Sequence, residues 1–146
     1  MDKALNYMAL ARKAGLIELG EEPVGAAARA RHARLVVAAA DAADHTWRRA
    51  KSFVSGTEQQ CIRAPFTKEE MGMAVGRTSL ALAAFTDGAM ALAFLKALPD
   101  SQKFQQEMDR LAIKNQRIQQ RRQEAKAHKR NQKTGRSRVR HGNKED

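Results

Sequence analysis

The sequence is short of cysteine and of aromatic residues, and each shortage limits the class of protein that it can encode. Its 146 residues include one cysteine, Cys61. No disulfide can therefore form within the chain, which suits a reducing compartment. Aromatic residues make up 5% of the chain and hydrophobic residues 42%, with alanine prominent among them. These proportions predict one helix-rich core of ordinary size with an appendage.

Long apolar runs and signal-like segments are absent from the sequence. No run approaches the roughly 18 consecutive apolar residues that a membrane span needs, so we expect no membrane partner. The first residues, MDKALNYMALARKAG, lack both the long apolar segment and the small-residue cleavage site of a secretory signal. Together with the lone cysteine, these absences predict a cytoplasmic protein.

The sequence also lacks the patterns of catalytic and metal sites. Its four histidines have no ligand spacing among themselves or with Cys61, so we predict neither a metal nor a cofactor. The segment GMAVGR has two glycines but lacks the Lys-Ser/Thr pair of a phosphate-binding loop. No pairing of a nucleophile with a base is present, and we therefore expect a protein that is not an enzyme.

Positive charge, in contrast, is abundant and unevenly placed. The formal net charge is +11 and the sequence pI is about 10.4. Residues 1–99 hold 13 Lys+Arg and 10 Asp+Glu, a net charge of +3, whereas residues 100–146 hold 14 and 6, a net charge of +8. The excess predicts a polyanionic partner, and we expect the last third of the chain to contact phosphates without sequence preference.

Hydrophobic patterns predict alternating helices and strands over residues 1–98. A stripe at spacings of three and four precedes Gly15, which supplies a left-handed helix stop. The continuous apolar run at 35–40 is typical of a strand covered on both faces. This order predicts a layered α/β fold with helices on both faces of a small, mostly parallel or mixed sheet. The predicted helices span about 2–14, 21–31, 44–54, 68–75 and 88–98, and the predicted strands 16–19, 35–40, 59–64 and 80–85.

The composition changes after Pro99, and residues 99–146 are predicted to form a basic extension. We expect an amphipathic helix over about 101–128, followed by a disordered basic tail. The residues that carry the helical spacing are Phe104, Met108, Leu111, Asn115 and Ile118.

Two stretches of the chain resemble a known protein family. They are NYMALARKAGLIELGEEPVGAAARARHARLVVAAAD and KEEMGMAVGRTSLALAAFTD. In order and spacing they are similar to the superfamily of kink-turn RNA binders, which contains the large-subunit ribosomal proteins seven-Ae and thirty-e and the Gadd45-like proteins. The small bacterial YlxQ-type branch is the most similar, and the resemblance covers residues 5–98. It implies a three-layer α/β/α sandwich, with a small four-stranded mixed sheet, that grips sharply bent RNA.

The resemblance implies that three elements contact the RNA: the turn before the second helix, the start of the third helix around Ala43, and the loop before the last strand. Relatives carry a lysine where this chain has Ala26, and we expect Arg29, one turn later, to supply the missing cation. Pro23 and Ala26 both depart from the residues that the relatives carry on this helix, and both departures concern the binding of standard kink-turns. The RNA-binding residues predicted in this way are Gly20, Glu21, Glu22, Arg29, Trp47, Gly76, Arg77, Thr78 and Ser79.

Several of these residues also have a purely structural interpretation. Glu21 and Glu22 suit the positive end of a helix dipole, and they also suit hydrogen bonds from a base edge. Trp47 can pack against the core or serve as a platform on which a base stacks. Arg29 can be a solvated charge, with the RNA-binding groove elsewhere. The sequence leaves each of these pairs of interpretations open.

The function that these features predict is non-enzymatic binding of a structured RNA with a bent or bulged motif. The RNA would be ribosomal or another non-coding RNA, in a ribonucleoprotein. Ribosomal or RNA-processing proteins are the expected protein partners, and the sequence does not indicate the oligomeric state. The alternative is a protein-interaction adaptor of the Gadd45 kind, in which the helix from Phe104 to Ile118 binds a partner and the RNA groove is vestigial.

Overall fold

Helices and strands alternate along the first two thirds of the chain. In the computed structural model the backbone is described for residues 2–140 and the side chains for residues 2–131. The order of the elements is the predicted one, and their boundaries fall within about two residues of those expected. The elements are α1 (Lys3–Ala14), β1 (Ile17–Leu19), α2 (Glu21–Arg29), β2 (Leu35–Ala38), α3 (Asp44–Val54), β3 (Cys61–Arg63), α4 (Lys68–Ala74), β4 (Leu82–Phe85) and α5 (Gly88–Ala97).

The strands form one mixed sheet in the order β1-β4-β2-β3. β4 lies antiparallel to β1 and to β2, with Phe85 opposite both Ile17 and Leu35, whereas β2 and β3 run parallel, with Val37 opposite Ile62. The carboxyl ends of β1, β2 and β3 therefore lie beside the amino end of β4, at one end of the sheet. We call this end the loop rim, and it comprises residues 20–22, 39–47, 63–67 and 76–81.

Helices cover both faces of this sheet. α1 packs against α4 and α5 on one face, and α2 packs against α3 on the other. The central strands β2 and β4 are buried along their whole length, as expected for strands covered on both faces. Phe85 of β4 and Phe94 of α5 are fully buried, with their ring centroids 5.0 Å apart. These features confirm the predicted α/β fold and its four-stranded mixed sheet.

The helix ends carry the start and stop signals that the sequence contains. Asp2 accepts a hydrogen bond from the backbone N–H of Ala4 at 2.8 Å, and Gly15 ends α1 with φ of 72°. Thr67 and Glu70 form a reciprocal capping box at the start of α4. Because each cap satisfies N–H groups that the helix leaves free, these residues determine where the helices begin.

A 3-10 turn at Ser101–Phe104 leads into a long helix, α6 (Gln105–Arg140). Met108 and Leu111 in its first turns are buried, and Phe104 packs against the core. A helix therefore follows Pro99 as predicted, and the first residues of the predicted apolar stripe are packed within the compact part of the chain.

The first compact unit of the chain extends to Ala112, and residues 113–146 form a second unit. Whether residues 1–98 act as a domain by themselves stays a prediction. The disordered tail predicted from about residue 129 lies largely outside the residues whose side chains are described, and it also stays a prediction. No helix among the described residues is both long enough and apolar enough to cross a membrane.

Gly72 lies where the loop before β4 crosses α4. A Cβ atom at this position would stand 2.8 Å from the carbonyl oxygen of Arg77 and 2.8 Å from the backbone nitrogen of Ser79. We predict that Gly72→Ala lowers the free energy of unfolding by about 1–3 kcal/mol, because the added methyl group overpacks this contact. Urea denaturation measures the change.

Gly25→Ala is the matched control, since Gly25 also lies inside a helix. A Cβ atom there would meet side-chain atoms of Phe53 at 3.0 Å and of Arg29 at 3.2 Å, and these atoms can move. Alanine also favours the helix by up to about 1 kcal/mol over glycine, so we expect a smaller loss. If the two variants unfold at the same urea concentration, the backbone contact at Gly72 is not tight.

Candidate nucleic-acid interface

The loop rim brings together the three segments that were predicted to contact RNA. Gly20, after β1, donates its backbone N–H to the carbonyl of Leu82 at 2.8 Å, and Ala39, after β2, donates to the carbonyl of Ala81 at 2.9 Å. These bonds hold the start of α2 and the segment leading to α3 beside the loop before β4. The arrangement follows from the strand directions, because β4 runs antiparallel to both of its neighbours.

Gly20 and Arg77 are neighbours within the loop rim. Gly20 has φ of 97° and ψ of 162°, a conformation that is strained for residues with a side chain. The Nη1 atom of Arg77 lies 3.8 Å from the position that a Cβ atom on Gly20 would take. The guanidinium therefore lies beside the amino terminus of α2, where the helix dipole is also positive. The guanidinium and the helix dipole are both positive here, which suits a phosphate. The carboxylates of Glu21 and Glu22 lie in the same first turn and suit hydrogen-bond donors of a base edge.

The loop that carries Arg77 is anchored to α4 through its backbone. The N–H of Arg77 donates to the carbonyl of Gly72 at 2.8 Å, and Gly76 turns the chain with φ of 78°. Because backbone atoms hold the loop in place, its side chains can contact a ligand without a change in its conformation. The exposed side chains of the loop are those of Arg77, Thr78 and Ser79.

The two glutamates at the start of α2 differ in exposure. One carboxylate oxygen of Glu21, Oε1, is buried and has no hydrogen-bond partner among the described residues, whereas Glu22 is exposed. A carboxylate in the first turn of a helix is stabilised by the helix dipole, so Glu21 fits the structural interpretation. Glu22 is the carboxylate that a base edge can reach.

Trp47 is half-buried and packs against the core. The guanidinium carbon of Arg63 lies 4.9 Å from the centroid of its ring, and Nζ of Lys51 lies 5.6 Å from it. Contacts of this kind contribute about 0.5–1 kcal/mol each at exposed sites. The ring is therefore already in contact with two cations of the chain.

Sequence reasoning did not identify Arg63 and Lys51 as members of this group. Lys51 follows Trp47 by one helical turn, so the spacing of α3 contains a signal for that contact. Arg63 lies on a different element, and its contact with Trp47 depends on β3 pairing with β2 next to α3. Only the tertiary structure shows that contact.

Arg29 lies away from the other predicted residues. It is the last residue of α2, about 12 Å along the helix from Glu21. Its Nη1 atom lies 3.2 Å from the Cβ position of Gly25, close to the ring of Phe53 of α3. Ala26 instead lines a cleft beside the helix. The guanidinium of Arg29 thus lies beside Gly25 and Phe53, and its contact with RNA stays a prediction.

The cleft beside α2 has a volume of about 490 Å³. None of the residues predicted to bind RNA lines it, although Pro23 in its wall lies 3.8 Å from the Cβ position of Gly20. The lining residues are Glu18, Pro23, Ala26, Ala27, Ala30, His32, Arg34 and Thr86.

Cys61 is half-buried in β3, and burial raises the pKa of its thiol. The positive charge of Lys51 acts in the opposite direction and lowers this pKa, while the negative charge of Glu107 raises it. The thiol is therefore a poor nucleophile at neutral pH. Within the part of the chain that the structure describes, no group of three or more His, Cys, Asp or Glu residues is placed to hold a metal ion.

Known proteins resemble this chain in fold only. No protein-family model matches the chain, and no curated protein matches it. A protein of unknown function from Bacillus halodurans superposes with a TM-score of 0.62 at 21% sequence identity, covering 66% of this chain and 97% of that one. The Giardia lamblia 15.5kD RNA binding protein superposes with a TM-score of 0.53 at 18% identity, covering 64% of this chain and 82% of that one.

The chain thus has the fold of a protein that is known to bind RNA. At these identities the similarity establishes the fold of the matched part of the chain. It does not identify a ligand. The kink-turn family stays a resemblance of the sequence motifs, now accompanied by a similar fold.

The raised pKa of Cys61 predicts slow alkylation of the folded protein. We expect the pH midpoint of reaction with iodoacetamide to be higher in the native protein than in guanidinium, because burial disfavours the thiolate. The thiol of the unfolded chain ionises first as the pH rises, so the free energy of unfolding falls as the pH increases above the pKa of the unfolded thiol.

Lys51→Gln provides the control for this measurement. The substitution removes a positive charge that lowers the pKa of Cys61, so the native midpoint should move higher still. A native midpoint at or below that of the unfolded protein would refute the assignment of Cys61 as a buried, protonated thiol.

Proposed function

We propose that the chain binds a structured RNA through its loop rim, without catalysing a reaction. The observation that carries the proposal is the contact between Arg77 and Gly20. It joins two of the three elements expected to bind RNA at a point where a cation and a helix amino terminus are both positive. The fold shared with an RNA-binding protein supports the same class of function.

The groups at the loop rim offer complementary interactions to a bent or bulged RNA. Arg77 suits a phosphate, and the hydroxyls of Thr78 and Ser79 suit phosphate or ribose oxygens. The exposed carboxylate of Glu22 accepts hydrogen bonds, which suits the imino and amino groups of an unstacked guanine. A ligand that contacts all of these groups needs an exposed base next to a tightly curved backbone. A kink or a bulge in RNA has this structure.

The basic extension adds electrostatic affinity in this proposal. The charged side chains described beyond Ala112 are exposed or half-exposed, and cations outnumber the single acidic residue there, Glu124. Contacts of this kind bind phosphates without reading sequence. A cytoplasmic ribonucleoprotein, ribosomal or otherwise, is the setting in which we place the protein.

The adaptor function is less well supported than RNA binding. It required the stripe from Phe104 to Ile118 to be free for a partner helix. Met108 and Leu111, at the centre of this stripe, are buried against the chain's own core. Their apolar surface is therefore unavailable while the domain is folded.

Arg77→Ala tests the site directly. We expect the affinity of the full-length protein for a bulged hairpin RNA to fall about tenfold, equivalent to about 1.4 kcal/mol, because a charge-assisted contact is lost. Filter binding or fluorescence anisotropy measures the change. Arg12→Ala is the matched control, since Arg12 is an exposed arginine in the last turn of α1, and it should bind RNA as the native protein does.

Removal of the chain after Ala112 tests the contribution of the extension. The truncated protein keeps the compact unit and should still prefer bulged over fully paired RNA, with weaker affinity and a shallower dependence on salt. Binding that disappears completely, or that no longer distinguishes the two RNAs, would show that the extension and not the loop rim recognises RNA.

A further inference from the structure

Trp47, Arg63 and Lys51 form a compact group on α3 and β3, which we call the indole cluster. The distances of 4.9 Å from Arg63 and 5.6 Å from Lys51 to the ring centroid place two cations against one aromatic side chain. The ring is half-buried and packs on the core, so it cannot turn freely. Both cationic side chains are exposed. The ring thus restrains two charges that face solvent.

The cations of the indole cluster are exposed and held in place by the ring. Glu107 is the acidic residue that acts, with Lys51, on the nearby Cys61 thiol. Two exposed cations that one ring restrains are suited to bind an anion.

The cluster lies at the same end of the sheet as Arg77. Arg63 is the last residue of β3 and Gly20 follows β1, and these strands form the two edges of the sheet. Three inter-strand spacings separate them, or roughly 14 Å. An RNA that contacts Arg77 and extends across the loop rim therefore reaches the indole cluster with a different part of its backbone.

We propose that the indole cluster is a second phosphate-binding site for the same RNA, in which Trp47 positions Arg63 and Lys51 and does not stack on a base. The proposal rests on the function proposed above. A base can stack on the indole only where a cation does not already cover it, so stacking would displace Arg63 or Lys51. A phosphate instead binds the cations from outside and leaves their contact with the ring intact.

Substitutions in the full-length protein distinguish these two roles of Trp47. If the cluster binds phosphate, Arg63→Ala weakens binding to a bulged hairpin RNA about fivefold and reduces the slope of log affinity against log salt by about one. Arg63→Lys retains most of the affinity. Trp47→Leu keeps an apolar side chain but removes the ring that holds the cations, and it should lose affinity together with part of the salt slope.

If Trp47 stacks on a base, the outcome is the reverse. Arg63→Ala then uncovers the ring, so the affinity stays the same or rises, and Trp47→Leu loses affinity with an unchanged salt slope. Trp47 is the sole tryptophan, so its fluorescence reports this site alone. Strong quenching by the RNA, without a comparable change when inorganic polyphosphate is added, would overturn the phosphate-binding assignment.

The same set of proteins separates this inference from the proposed function. If Arg77→Ala weakens binding while Arg63→Ala and Lys51→Ala match the native protein, the Arg77 side of the loop rim binds RNA and the indole cluster does not. If the native protein binds neither the bulged RNA nor polyphosphate, the function itself is wrong. Arg12→Ala controls for a general loss of charge, and urea denaturation confirms that each variant is folded.

Discussion

The central position of β4, antiparallel to both β1 and β2, is the constraint on which the candidate site depends. A sheet of parallel strands alone would send the loop before β4 to the opposite end of the domain from the starts of α2 and α3. With β4 reversed, the backbone bonds from Gly20 to Leu82 and from Ala39 to Ala81 join all three segments. The convergence of the glycine turn and Arg77 is thus a property of topology, and the side chains add charge and hydrogen-bonding groups to it.

In the proposed function, the distribution of charge gives the two parts of the chain different tasks. The compact unit holds few excess charges, but it places one cation beside a helix amino terminus and two others against an aromatic ring. The extension holds most of the net charge, and its described residues place part of that charge along a helix. Shape recognition and general attraction to a polyanion are therefore separable, and a change to one need not alter the other.

The sequence predicted the order of elements well because the signals were local. Gly15, the capping box of Thr67 and Glu70, and the continuous apolar strands each depend on a few neighbouring residues. The site was predictable only in part. Gly20 and Arg77 were identified through a resemblance, whereas the contact of Trp47 with Arg63 depends on strand pairing, and the direction taken by Arg29 depends on packing between α2 and α3. No spacing along the chain encodes such contacts.

The contact at Gly72 separates the shape of the loop before β4 from the identity of its side chains. The atoms that approach Gly72 most closely are the carbonyl oxygen of Arg77 and the backbone nitrogen and Cα of Ser79, which every amino acid possesses. Residues 77–79 can therefore diverge, or be redesigned, while the loop keeps its path across α4. The backbone of the loop is thus fixed while its side chains are exchangeable, so that the ligand preference of the proposed site can change without a change of fold.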